Sequence, residues 1–205
     1  MKLKNYREIQ LKFKLNHITQ QPGFHGDINL IELADELLKK SSIFIETGTN
    51  MGNTLYFVSR NYDIECHSCE IHDKTPNAVV EHDSIDFKRI SSPEFLYGLP
   101  KTNETCTFWL DAHAGLSQTI HLRELEFILQ NYKKYYIFID DINIEVPGWT
   151  HNNYSINDIK QLLGEDDSMY IPNYTELENP FHGMTGWSLI TNLEFNAKTS
   201  IEKIK

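Results

Sequence analysis

Five acidic side chains and a histidine stand where short strand-like runs give way to loops. Glu46 follows Ile43-Phe44-Ile45, and Glu70 follows Glu65-Cys66-His67-Ser68-Cys69. Asp111 closes Cys106-Thr107-Phe108-Trp109-Leu110, with His113 two residues on, and the pair Asp140-Asp141 closes Tyr135-Tyr136-Ile137-Phe138-Ile139. Carboxylates meeting at adjacent strand ends repel one another unless a cation joins them, and oxygen-only ligands select a hard ion such as Mg²⁺. Asp111, Asp140 and Asp141 are the candidate metal ligands. An ion there could chelate two neighbouring hydroxyls and lower the pKa of one. His113, whose imidazole titrates near neutral pH, is the candidate general base, and Asp111 is the candidate catalytic acid residue beside it. Each has a plainer reading: His113 as a loop histidine, and one of Asp140 and Asp141 as a helix cap or turn former.

The loop after the first run reads Glu46-Thr47-Gly48-Thr49-Asn50-Met51-Gly52-Asn53-Thr54. Its glycines permit a tight turn and a close backbone approach by a ligand. It lacks the Gly-Lys-Ser/Thr of a phosphate loop and the G-x-G-x-x-G of a dinucleotide fingerprint. Its leading acid suits a cationic ligand better than a pyrophosphate, and Glu70 stands where a carboxylate can take both hydroxyls of a ribose. An acid-x-Gly-x-x-x-Gly after strand one and an acid after strand two resemble the class I S-adenosylmethionine-dependent methyltransferases, over roughly residues 43–142. The resemblance implies S-adenosylmethionine as cofactor. Glu46, Gly48 and Gly52 would line its methionine end, with Thr49, Asn53 and Thr54 in the same loop. Glu70 would bind the ribose, Ser91 or Ser92 would lie near the adenine, and Asp111 would stand beside the reacting end. Gly48-Thr49-Asn50 departs from the Gly-x-Gly more usual there.

Asp111, His113, Arg123-Glu124-Leu125 and Asp140-Asp141 together resemble the metal-dependent sugar O-methyltransferases of the macrocin and cephalosporin-cluster type. That resemblance implies Mg²⁺-assisted methylation of a hydroxyl on a sugar, nucleotide-sugar or similar small polar metabolite, such as a surface-polysaccharide precursor. Asp111-Ala112-His113 also resembles the manganese ureohydrolases, but Gly115 stands where their second acid belongs and their Gly-Gly-Asp-His segment is absent. Three rivals stay open: metal-independent methylation of a phosphorylated or phosphoramidate metabolite, a metal-dependent hydrolase using the same acids, and a non-catalytic α/β binding module.

These side chains need a frame. Continuous apolar strands alternating with amphipathic helices predict a parallel sheet covered on both faces, with ligands beyond the carboxyl ends of its strands. The expected fold is α/β, a Rossmann-like doubly wound, mostly parallel seven-stranded sheet. Asp27 can cap a helix carrying Leu30, Leu33, Ala34, Leu37 and Leu38 at helical spacing, with Lys39 and Lys40 in its last turn. Further helices are expected around Leu55–Tyr62, Thr119–Tyr132 and, capped by Ser155, Ile156–Leu163. Further strands are expected at Phe87–Ile90, Met169–Ile171 and Trp187–Thr191. A single domain over 1–205 is expected, with a helical lead-in over 1–42, a cofactor core over 43–142 and a substrate-side portion over 143–205. His25-Gly26 could cover the cofactor. Trp149, His151 and Tyr154 could stack on a sugar ring, and the 181–187 loop occupies a common lid location.

Composition narrows the class. The chain has 205 residues, 40% of them hydrophobic, enough for a self-sufficient core without disulfides. Its formal net charge of −10, with no basic stretch interleaved with aromatics, argues against nucleic acid as a partner. Without a signal-like N-terminus or a long apolar run, a cytoplasmic location and no membrane partner are expected. The expected partner is a small-molecule acceptor, and surface aromatics leave a homodimer open. Cys66 and Cys69 form a C-x-x-C, but on a strand positions i and i+3 face opposite ways, so half-buried strand cysteines are expected rather than a zinc or redox pair.

Overall fold

The computed structural model describes residues 6–17, 19, 21–112, 120–144, 155–174, 186–196 and 200–205. Its elements run α1 (Tyr6–Lys12), α2 (Ile28–Leu38), β1 (Ile43–Thr47), α3 (Asn53–Asn61), β2 (Glu65–Cys69), α4 (Asn77–Val80), β3 (Ile85–Lys88) and α5 (Ser92–Gly98). They continue with β4 (Cys106–Leu110), α6 (Ile120–Asn131), β5 (Tyr135–Ile139), α7 (Ile156–Lys160), β6 (Ser168–Pro172), β7 (Ser188–Thr191) and β8 (Ile201–Lys203). The strands form one sheet in the order β3-β2-β1-β4-β5-β7-β6-β8. The first five pair in parallel, and β7 then runs antiparallel to both β5 and β6, with β8 antiparallel to β6. The doubly wound, mostly parallel architecture is present with eight strands rather than seven. The additional strand is β8, a three-residue edge with two exposed side chains.

Order reverses at β1, which lies between β2 and β4, and this is where an open α/β sheet forms its ligand crevice. Register puts the strand ends on one level. Cys69, Thr47, Leu110 and Ile139 are successive partners across β2, β1, β4 and β5. The next residue of each strand, Glu70, Gly48, Asp111 and Asp140, therefore leaves the sheet in one row.

β4 and β5 are buried at every position, as continuous apolar strands under helices on both faces must be. The same covering corrects the cysteine expectation. Cys66 and Cys69 do point to opposite faces, yet both are buried rather than half-buried. Burial pushes the Cys66 thiol up to about 12, far from a reactive thiolate. Strand β3 begins two residues earlier than its apolar run suggested, because it pairs residue by residue with Cys66–Cys69. Asp27 caps α2 as expected, accepting from the backbone N–H groups of Asn29 and Leu30. Lys39 and Lys40 fall just past the helix end and pair with Asp35 and Glu36 one turn back. Among the described residues, no helix is long and apolar enough to cross a membrane.

Candidate active site

The loop after β1 turns twice through left-handed backbone, at Gly48 (φ 82°) and Gly52 (φ 75°). A Cβ on Gly48 would stand 2.4 Å from the Asp111 carbonyl oxygen, so the loop packs against the end of β4 at a distance only glycine allows. Backbone N–H groups of Gly48 and Thr49 both donate to the Cys69 carbonyl, which ties this loop to the end of β2.

Glu70 takes two backbone N–H groups. One carboxylate oxygen accepts from Asn50 and the other from His72, each at 2.8 Å. Each oxygen keeps a further lone pair for a ligand hydroxyl. Glu46 is buried, accepting from the Ser68 hydroxyl at 2.5 Å, and Thr49 meets the same hydroxyl. Burial pushes the Glu46 carboxyl up to about 7, with the Ser68 bond opposing the rise and the Asp111 charge adding to it. Behind this row, Glu124 of α6 is buried against Thr47 of β1. Burial raises it to about 8 against the pull of the Ser92 and Thr47 hydroxyls.

A cavity of about 400 Å³ opens along the row, walled by Glu70, Ile71, Ser91, Ser92, Asp111, Asp140 and Asp141 among others. A smaller one of about 150 Å³ lies beside Glu46, Thr49, Asn53 and Thr54. The two share His25, Gly48, Asn50 and Asp111 as walls. All the candidate cofactor residues line one cavity or the other except Gly52, which packs against Val79.

The roof of the smaller cavity comes from the N-terminal segment, which engages two of the candidate cofactor residues. Asn53 accepts from Thr19 and Asn16 and donates to Gln21, and the Thr54 hydroxyl accepts from the Phe24 N–H. The segment then makes a tight turn in which Phe24 (φ 53°), His25 (φ 52°) and Gly26 (φ 73°) are all left-handed. For Phe24 and His25 that conformation costs roughly 1–2 kcal/mol each. Full burial of the Phe24 ring offsets it by about 1.5–3 kcal/mol. Phe24 sits edge-on to Trp109, with centroids 5.1 Å apart, and also meets Phe57 and Phe138. Asp27, next in the chain, accepts from Tyr174, whose hydroxyl in turn receives the Trp187 indole N–H.

The turn places His25 among the strand-end acids. Its Nε2 lies 2.7 Å from the buried Asp140 carboxylate and 3.5 Å from that of Asp111, which also accepts from the Trp109 indole. Burial disfavours the imidazolium. The Asp140 charge and hydrogen bond outweigh that penalty, with help from Asp111 and Asp141, and hold His25 up at about 10. One ligand atom each from His25, Asp111 and Asp140 lies within 4.8 Å of the others. Asp141, left-handed at φ 55°, lines the same cavity but is not part of that set. The strand-end cluster is therefore not oxygen-only: a histidine distant in sequence enters it. Its signal in the sequence was only the His25-Gly26 pair ahead of a capped helix. His113, Trp149, His151, Tyr154 and most of the 181–187 loop lie outside the described residues.

Solved structures share this architecture. A provisionally assigned O-methyltransferase from Klebsiella pneumoniae superposes with a TM-score of 0.59 at 14% identity, covering 85% of this chain and 84% of that one. An O-methyltransferase from Bacillus cereus in complex with SAH gives 0.56 at 13%, covering 80% and 78%. An rRNA methylase from Streptococcus thermophilus gives 0.54 at 12%, covering 80% and 96%. No protein-family model matches the chain, and no curated protein matches it in sequence. The similarity establishes the Rossmann-like fold that these structures share.

Proposed function

We propose that the protein is an S-adenosylmethionine-dependent O-methyltransferase acting on a hydroxyl of a small polar metabolite, in the sugar, nucleotide-sugar or surface-polysaccharide-precursor class. One observation carries the reading. Glu70, oriented by two backbone N–H groups, stands in the wall of the same cavity as Asp111 and Asp140. Ribose recognition and an acceptor-activating cluster are thereby supported in one continuous space. The neighbours crystallised with SAH agree with it.

S-adenosylmethionine supplies an electrophilic methyl group on a sulfonium. The chain's own residues hold and orient the reactants. Glu70 faces the ribose, Ser91 and Ser92 line the far end of the cavity, and buried Glu46 stands at the smaller cavity that suits a charged amino end. Asp111 and Asp140 face the acceptor side and draw the proton of an incoming hydroxyl toward carboxylate oxygen, raising the nucleophilicity of the oxygen left behind. Enclosure by the N-terminal segment aligns acceptor oxygen with methyl carbon and excludes water, which is where most of the acceleration in such a displacement arises. The donor chemistry of Asp111 and Asp140 fits a divalent cation such as Mg²⁺, with Asp141 lining the same cavity. Such an ion would lower the pKa of the acceptor hydroxyl.

Calorimetric titration with S-adenosylhomocysteine tests the assignment. Micromolar binding, weakened at least about tenfold in Glu70→Ala through the lost charged hydrogen bonds, is expected. Absence of binding to the folded wild-type chain would overturn it.

A further inference from the structure

We infer that His25 is a protein ligand of the divalent cation held by Asp111 and Asp140, making the site a mixed nitrogen–oxygen centre that takes a first-row transition ion, Mn²⁺ or a softer one, in preference to Mg²⁺. The inference deepens the proposed function and rests on that reading for what the ion does, but not for whether it binds.

Geometry comes first. Ligand atoms about 2.1 Å from one ion and at right angles to each other stand ~3.0 Å apart. His25 Nε2 lies 2.7 Å from an Asp140 oxygen and 3.5 Å from an Asp111 oxygen, which brackets that separation. All three ligand atoms lie within 4.8 Å of one another. A small outward movement of the three side chains would admit an ion between them. None of the groups is sealed off, since His25 and Asp111 line both cavities and Asp140 lines the larger.

The chemistry then discriminates between ions. Asp111 and Asp140 alone would suit Mg²⁺, which keeps oxygen ligands and yields its water reluctantly. An imidazole nitrogen favours the transition series, whose affinity for such sites rises from Mn²⁺ through Co²⁺. His25 reaches the cluster from a segment that is not part of the sheet. Its position is set by the burial of Phe24 on one side and by the Asp27–Tyr174 contact on the other. The imidazole Nε2 rests directly against the Asp140 carboxylate, so ring and carboxylate already converge where an ion would sit.

The test uses the whole chain, stripped of metal, titrated with Mn²⁺ and Mg²⁺ and then examined by pulsed electron paramagnetic resonance with Mn²⁺ bound. Mn²⁺ is expected to bind at least about tenfold more tightly than Mg²⁺, and the spectrum to show coupling to an imidazole nitrogen. His25→Asn tolerates the left-handed backbone, and His25→Gln serves as a second variant. Either is expected to erase the nitrogen coupling and weaken Mn²⁺ by about tenfold or more while moving Mg²⁺ far less. No Mn²⁺ binding, no nitrogen coupling in the wild type, or coupling that persists in the folded variants would overturn the inference. S-adenosylhomocysteine binding in the same samples separates the two claims. Its absence beside an intact manganese–nitrogen signal sinks the methyltransferase reading alone, and the reverse pattern sinks the mixed centre alone.

Discussion

The two edges of the sheet are both acidic, and they treat their acids in opposite ways. At the amino edge, Asp63, Glu65, Asp83 and Asp86 surround an open depression. Glu65 and Asp86 are 61% and 47% exposed, and Lys88 and His67 stand within ion-pair distance. At the carboxyl edge, Glu46, Asp140 and Glu124 are almost fully buried. Every described residue with positive φ, glycine or not, lies at the carboxyl edge. Water stabilises the charges of one edge at little structural expense. The other edge buries most of its acids, which are met by His25, by backbone N–H groups and by neighbouring hydroxyls. Buried like charges and strained backbone gathered at one end of a sheet mark where binding has been favoured over stability.

Substitutions can break that contrast, and the largest effect is expected at Gly48. Gly48→Ala adds a Cβ against the Asp111 carbonyl and strains a left-handed residue, so a loss of about 3 kcal/mol or more is expected by chemical denaturation. Asp140→Ala leaves His25 facing a void in a poorly hydrated site and should cost about 2–4 kcal/mol, somewhat under a fully enclosed pair because His25 is 24% exposed. Asp86→Ala at the other edge should stay within about 0.5 kcal/mol in the same denaturation assay. Equal losses from these two aspartates would erase the distinction between the edges.

Acidity sharpens the comparison further. Glu46 has a folded pKa raised to about 7, so its contribution is greatest below the unfolded value near 4.5 and declines as pH rises toward 7. Asp35, beside the amino edge, has the opposite sign. Burial works against its charge, but Lys12, Lys39 and Tyr62 hold its pKa below the ordinary value, so its stabilisation is present above the unfolded pKa and disappears as pH falls through the folded one. Glu46→Gln is expected to raise the melting temperature more at pH 8 than at pH 5. Asp35→Asn should flatten the acid limb alone. Parallel pH profiles for the two variants would show that burial does not separate these sites.

Periodicity carried most of the frame. β1, β4 and β5 are built on short apolar runs and α2 has both stripe and cap, so residues and element agree locally. β8 escaped because three residues with two exposed side chains hold no period to read. The row of Glu70, Asp111 and Asp140 was legible since each acid ends a strand-like run, continuously apolar before Asp111 and Asp140 and read as half-buried before Glu70. His25 was not legible as their neighbour. Its place depends on Phe24 and His25 adopting a backbone that neither residue type favours, and that choice is made by aromatic packing among residues far apart in the chain. Asp141 was partly legible: its φ of 55° turns the chain out of β5, the turn-forming role open to one of the two aspartates and one that Asp adopts more readily than most residues.

The bond between Tyr174 and Asp27 joins residues 147 positions apart, and Trp187 stands behind it. During synthesis Asp27 therefore waits for almost the whole polypeptide before this bond can form. The central parallel strands have their neighbours much sooner. Assembly of this molecule should thus be staged, with central parallel strands that pair early and an N-terminal wall of the cleft that gains its last contact only as the final strands arrive.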